Sequence, residues 1–385
     1  MRRPFASEPG PSVDLRAAAA AVVGILTVAA LAFLVLASRA GFPDPAGSAA
    51  LPRATTQGNP ALAIKVDGNR LVDGQDRTVR LLGVNRSGTE YACVQGLGIF
   101  DGPHDASSIS AMARWRINVV RIPLNEDCWL NINGVKEEYA GQDYQDAIVQ
   151  YVNTLHQYGL YAILDLHWNA SGSKPASEQQ PMADADHSAA FWSSVARVFK
   201  NDRALLFDLY NEPHGVSWQC WLNGCTLQGE HFAGMQTLIN SVRVIGATQP
   251  ILLGGIDWAN DLSLWLTYEP YDSQRSLVAS YHSYSFNRCT TAACWNSEVL
   301  PVAATVPVVT GEMGEKDCQH AYVDRYMAWA DSNDVSYLAW TWNTGACRWA
   351  LIDDYQGTPT PYGKGLFNHL AALPPPNGYR LDVTP

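Results

Sequence analysis

YAILDLHW (161–168) and LLFDLYNEP (205–213) are the two stretches whose reading decides the fold. Each opens on a continuous apolar run and closes on polar side chains, Asp165, His167 and Trp168 in the first, Asp208, Asn211 and Glu212 in the second. A short apolar run without alternation is the pattern of a strand covered on both faces, as strands of a parallel sheet are. Outward from these two, the same pattern recurs in VRLLGVN (79–85), INVVRIP (117–123), ILLGGIDW (251–258), LVASYHSY (277–284), VPVVTGE (306–312) and SYLAWTW (336–342). The gaps between them are long enough for a crossover helix each time. In 143–158, Ile148, Tyr151, Val152 and Leu155 form one face, and Gly159 stands where a helix would close. In 319–330, Val323, Met327 and Ala330 repeat that spacing.

Eight such units predict an α/β chain folded as a (β/α)8 barrel. An open doubly wound sheet is the alternative, but it would carry a Gly-rich phosphate turn directly after its first strand. Gly96-Leu97-Gly98 comes too late and with the wrong spacing. The segment 65–80, with two Asp-Gly pairs, predicts a hairpin that plugs the barrel floor.

Reactive residues gather at the C-terminal ends of the runs: Arg121, His167-Trp168, Asn211-Glu212, His282 and Tyr284, Glu312, and Trp340. A barrel brings those ends to one mouth, where active sites form. Glu212 and Glu312, on the fourth and seventh strands, would face each other across it. Two such carboxylates suit acetal cleavage, one protonated to release the leaving oxygen and one charged to attack the anomeric carbon. Arg121 is placed to hold Glu312 ionised, and the charge of Glu312 is expected to raise the pKa of Glu212. A metal-dependent hydrolase would need clustered His and carboxylate ligands on successive strands, whereas His167 and His282 each stand beside an aromatic. Neither a metal nor a cofactor is expected.

The pieces LLGVN, VVRIP, LDLHW, DLYNEPH, SYHSY, VVTGEMG and LAWTWN, in order across residues 62–372, resemble glycoside hydrolase family five, the cellulase family of the retaining (β/α)8 glycosidases. The resemblance implies Glu212 as acid/base and Glu312 as nucleophile. It implies Asn211 on the substrate's 2-hydroxyl, with Arg121 and Tyr284 on the nucleophile. His167 and His282 would line the reactive subsite and Trp340 would stack under the sugar; apart from the resemblance, Trp168 falls near a loop that could line the groove. The implied partner is a β-linked oligo- or polysaccharide, most simply β-1,4-glucan cut internally. β-Mannan, β-1,3-glucan, xyloglucan and aryl β-glycosides use the same catalytic residues and stay open. A barrel that binds carbohydrate without cleaving it is the non-enzymatic alternative. Trp129, Trp218, Trp221, Trp258 and Trp295 fall near loops that could extend the groove, and Trp342 reads equally as core or platform. Glu315 reads as a solvated loop charge, and His104, His156, His187, His231, His320 and His369 as surface or capping residues.

Composition sets the remaining bounds. With 385 residues, 47% hydrophobic and 16% charged, the chain can bury a large core, and its net charge of −11 excludes a nucleic-acid backbone as main partner. Trp (13) outnumbers Phe (10), which suits flat sugar faces. Residues 17–37 are uncharged and apolar, roughly 31 Å long as a helix at ~1.5 Å per residue, enough to cross a bilayer. They read as a single-pass anchor or a secretory signal within 1–40, followed by a Pro/Gly/Ala/Ser-rich linker over 41–60 and a catalytic domain over 61–385. Either reading exports the domain, expected to be a monomer, to the cell exterior. Eight cysteines fit that compartment and by themselves allow 105 pairings. Placed in the loops of the implied barrel they all lie at its mouth, where Cys93–Cys128, Cys220–Cys225, Cys289–Cys294 and Cys318–Cys347 are the expected bridges.

Overall fold

The structure, a computed structural model, describes residues 62–375. The export segment and the linker expected from the sequence lie outside the described residues. Among those described, no helix is long and apolar enough to cross a membrane.

Eight parallel strands close into a barrel: β1 (Leu82–Asn85), β2 (Val119–Asn125), β3 (Tyr161–Trp168), β4 (Leu205–Asp208), β5 (Ile251–Gly254), β6 (Leu277–Tyr284), β7 (Val308–Gly314) and β8 (Ser336–Ala339). Each strand pairs with its sequence neighbours, and β8 closes the ring on β1. All eight expected strands are present. Helices Gly141–Gln157 and Ala321–Asp331 cover the ring where expected, with Ile148, Val152 and Leu155, and Val323, Met327 and Ala330, buried. Gly159 has φ +76°, and Gly159 and Leu160 return their N–H groups to His156 and Leu155, closing that helix in the left-handed turn that glycine favours. One expectation fails. The β5–β6 crossover holds only the irregular turn Ile256–Ala259, in which Asp257, Trp258 and Ala259 all have positive φ, and buried Leu262 and Trp265 fill the space of a helix.

Side chains of a strand alternate between the two faces, so each barrel strand has an inward and an outward row. The inward rows begin apolar: Val119, Tyr161, Ile163, Leu206, Leu252, Val278, Val309 and Leu338 fill the barrel's lower interior. Ile64 and Leu71 join them from the antiparallel hairpin Ile64–Asp67/Arg70–Asp73, which plugs the floor as its Asp-Gly turns predicted. Toward the C-terminal ends the same rows turn polar, with Arg121 above Val119, Asp165 and His167 above Ile163, Asp208 above Leu206, and His282 and Tyr284 above Val278. The outward rows pack beneath the helices in a separate core.

All four expected disulfides form, with Cα–Cα distances of 6.2 Å for Cys93–Cys128, 5.0 Å for Cys220–Cys225, 5.6 Å for Cys289–Cys294 and 5.1 Å for Cys318–Cys347. Each lies in a connection that leaves the C-terminal end of a barrel strand.

Candidate active site

Arg121 is the hub of the mouth. It is fully buried, and its five N–H groups meet five acceptors. Nε donates to Asp208 Oδ2 at 2.9 Å, and Nη1 to Asn85 Oδ1 at 3.0 Å and Glu312 Oε1 at 2.8 Å. Nη2 donates to Asn211 Oδ1 at 2.9 Å and pairs with Asp165 Oδ2 at 3.0 Å. A buried guanidinium persists only with such complete pairing. Arginine has no acceptor, so Asn211 must turn its oxygen toward it. The Asn211 amide nitrogen is thereby left buried and without a partner, as a donor held ready at the mouth.

Glu312 receives a second bond from the Tyr284 hydroxyl, 2.6 Å from Oε2. Burial, and then the charge of Glu312, hold Tyr284 well above the usual phenol range, so its hydroxyl keeps the proton it donates. Glu312 reaches this position through a bulge in β7. Tyr281 and His282 of β6 pair with Thr310 and Glu312, skipping Gly311. Strict alternation from Val309 would have turned Glu312 outward; the extra residue turns it into the mouth. A Cβ on Gly311 would lie 3.0 Å from His282 Nε2 and 3.0 Å from Ser280 Oγ, tight enough to press on that wall.

Glu212 stands opposite. Its Oε1 lies 2.8 Å from His282 Nδ1, and that nitrogen lies 3.7 Å from Glu312 Oε2. One oxygen of each glutamate and a His282 nitrogen all fall within 4.8 Å of one another. Burial raises the pKa of Glu212, against the pull of His167, Arg121 and a hydrogen bond from Gln179. This corrects the sequence expectation, which credited the Glu312 charge. Burial lowers His167 and His282 to about 4 each, so both are neutral near pH 7. It raises Asp165 to about 7 and Asp208 to about 6, with Arg121 opposing in both. His167 Nδ1 is 2.6 Å from Asp165 Oδ2, which fixes the ring.

Aromatic faces rim this centre. The Trp340 ring stacks on His167, with centroids 5.3 Å apart, and its peptide to Thr341 is cis. Trp168 lies beside Tyr91 at 6.3 Å. Trp258, 44% exposed, stacks on His214 at 3.6 Å, two residues beyond Glu212. Exposed Phe286 packs against Tyr284 at 5.2 Å and Trp349 at 5.9 Å.

The structure thus brings Arg121, His167, Trp168, Asn211, Glu212, His282, Tyr284, Glu312 and Trp340 to one mouth. It removes Trp129, Trp218, Trp221, Trp295 and Trp342, all buried in the core. Glu315 is also buried, not solvated; its carboxylate accepts the N–H groups of Tyr322 and Val323 and caps the helix that follows. His156 is buried beside Asp202 rather than at the surface. The sequence reading missed Asn85, although it ends the first strand run as Arg121 follows the second. Asp165 and Asp208, polar side chains of the two stretches that decide the fold, both engage Arg121. His214, Phe286 and Trp349 carried no signal beyond their nearness to strand ends.

The sequence profile of the cellulase family, glycosyl hydrolase family 5, matches residues 77–346. The chain is 24% identical over 292 residues to endoglucanase CelA of Streptomyces lividans, covering 73% of this chain and 56% of that protein. It is 25% identical over 295 residues to endo-beta-1,4-glucanase A of Emericella nidulans, covering 69% and 83%. It thus spans little more than half the length of the Streptomyces relative. A beta-glucanase of Saccharophagus degradans, solved in complex with cellotetraose, superposes with a TM-score of 0.61 at 20% identity, over 81% of this chain and 94% of that one. An endocellulase of Pyrococcus horikoshii gives 0.62 at 16% identity, over 82% and 100%. These two likenesses carry the fold.

Proposed function

The chain belongs to the cellulase family, glycosyl hydrolase family 5, and from that premise we propose that it is a retaining endo-β-1,4-glucanase. The observation that carries the reading is the pair Glu212 and Glu312, close together yet differently surrounded: burial raises Glu212, while Arg121 and Tyr284 donate to Glu312. An oxygen of each lies within 4.8 Å. Retaining enzymes hold their carboxyl groups about 5–5.5 Å apart for direct attack, whereas inverting ones leave about 6.5–9.5 Å for a water.

Glu212, raised by burial, gives its proton to the glycosidic oxygen as the bond to the anomeric carbon breaks. Glu312, oriented by Arg121 and Tyr284, attacks that carbon and forms a covalent glycosyl ester. Glu212, now charged, takes a proton from water, which displaces Glu312 and returns the anomeric configuration. The free amide N–H of Asn211 meets the 2-hydroxyl of the sugar, and Trp340 lies under its ring. Trp258 and Phe286 extend the aromatic floor for further sugar units. The names of the relatives, endoglucanases and a beta-glucanase, favour β-1,4-glucan over the other β-glycans. We place the domain outside the cell as a monomer, exported through residues 17–37 and carried on the linker over 41–60; four disulfides support an oxidising compartment.

The test is Glu312→Ala supplied with azide and an aryl β-cellobioside. The expected product is an α-glycosyl azide, because azide enters from the face the carboxylate vacated. Undiminished hydrolysis in that variant removes Glu312 as nucleophile. With the wild-type protein, a ladder of cello-oligosaccharides from soluble cellulose is expected, and release of glucose alone overturns internal cleavage.

A further inference from the structure

Glu126, Asp184 and His187 form a second cluster of ionisable groups, apart from the reaction site, and their ligand atoms all lie within 4.8 Å of one another. Glu126 directly follows β2, while Asp184 and His187 end the long connection that leaves β3. Glu126 is fully buried. Its Oε2 accepts from Ser188 Oγ at 2.7 Å, but its Oε1 has no partner. His187 Nδ1 is likewise buried and unpartnered. That nitrogen lies 3.9 Å from Glu126 Oε1 and 3.7 Å from Asp184 Oδ1.

Those separations are too long for hydrogen bonds. They match two ligands of one ion, because atoms about 2.0–2.2 Å from a metal and about 110–130° apart are about 3.3–4.0 Å from each other. Asp184 is held by the N–H groups of Asp186 (2.9 Å) and His187 (2.7 Å) on Oδ1 and by Asn169 (3.0 Å) on Oδ2, and Ser188 Oγ lies 2.7 Å from that Oδ2. Ser188 thus links both carboxylates, the kind of outer bonding that orients metal ligands. Among the described residues no lysine or arginine pairs with Glu126 or Asp184.

We propose that Glu126 Oε1, Asp184 and His187 Nδ1 bind one divalent ion of the zinc and manganese class. One imidazole with two carboxylates suits such an ion, whereas calcium and magnesium favour all-oxygen sites. His187 is 26% exposed, which leaves an opening for the ion and its waters. The ion ties the start of the β2 connection to the end of the β3 connection. The latter also carries Gln179, which hydrogen-bonds Glu212, and Pro181, whose carbonyl accepts the His214 N–H at 3.0 Å. Its role is to steady the wall beside Glu212, without touching substrate. The inference does not rest on the proposed chemistry at Glu212 and Glu312.

The experiment strips the full chain with a chelator, then titrates it by calorimetry with Zn²⁺ and, separately, Mn²⁺, with thermal unfolding alongside. One ion per chain is expected, raising Tm. Glu126→Gln and the partly exposed His187→Ala should each weaken binding by more than about 100-fold and abolish the Tm gain, while Glu212→Gln keeps both. No binding of either ion up to millimolar concentration overturns the proposal. So does binding that survives both Glu126→Gln and His187→Ala, or that Glu212→Gln removes.

Discussion

At the scale of single residues, the site runs on one arginine. Arg121 fixes Glu312 directly and turns the Asn211 amide by taking its oxygen, so one buried cation sets the attacking carboxylate and an outward donor together. The proton economy sits across from it. Glu212 is pushed up by burial while Gln179 donates to it and pulls it down. Activity needs Glu212 protonated, so it is lost as pH rises through that pKa. Gln179→Leu removes the donor to the charged form, and the basic limb of kcat/KM should then move to higher pH; an unmoved limb in a full pH profile refutes the contact. His167 and His282, lowered to about 4, add no limb between pH 5 and 8.

At the scale of elements, period-two alternation does most of the placing, and one exception places the nucleophile. Val309 faces inward, and regular continuation of β7 would send Glu312 toward the helices. The bulge at Gly311 reverses this. Gly311→Ala should lower kcat by about 10–100-fold through displacement of His282, with circular dichroism unchanged. An undiminished kcat would show that the wall yields. The floor hairpin is a stability element: Leu71, 3% exposed, fills the barrel's lower interior. Leu71→Ala should cost about 2–5 kcal/mol in urea unfolding, leaving kcat unchanged because the hairpin is at the opposite end from the mouth. Sequence pattern was sufficient for the strands and the hairpin. It was not sufficient for the β5–β6 crossover, where chain length admitted a helix but Trp265 and Leu262 fill that space from turns, nor for the bulge, which leaves no periodic trace.

At the scale of the whole molecule, the barrel separates a stable end from a reactive one, and the bridges lie on the reactive end. Cys93–Cys128 closes 35 residues of chain between the first two connections. The Cys93→Ser/Cys128→Ser pair should lose about 2–4 kcal/mol of stability, read by denaturant unfolding under non-reducing conditions. The net charge of −11 has no charged ligand to meet if the substrate is a neutral glycan. Raising salt from about 0.05 to 0.5 M should therefore change kcat/KM by less than about twofold, since screening acts on steering between charges. A steep salt dependence would point to a charged substrate instead.

By itself the sequence determined the eight strands, the hairpin beneath them and the polar strand ends, while the cysteine pairing was an expectation that the fold met by setting the loops side by side. Strands, hairpin and strand ends follow from local period and chain order, which residues carry with them. Only the tertiary structure decided which tryptophans face the groove, since Trp221 and Trp258 look alike in a loop and differ in what packs over them. Only it made burial the cause of the Glu212 shift, turned Glu312 inward, and brought Glu126 within reach of Asp184 and His187. Desolvation, facing and meeting across long connections depend on neighbours distant in the chain, and no local pattern records them.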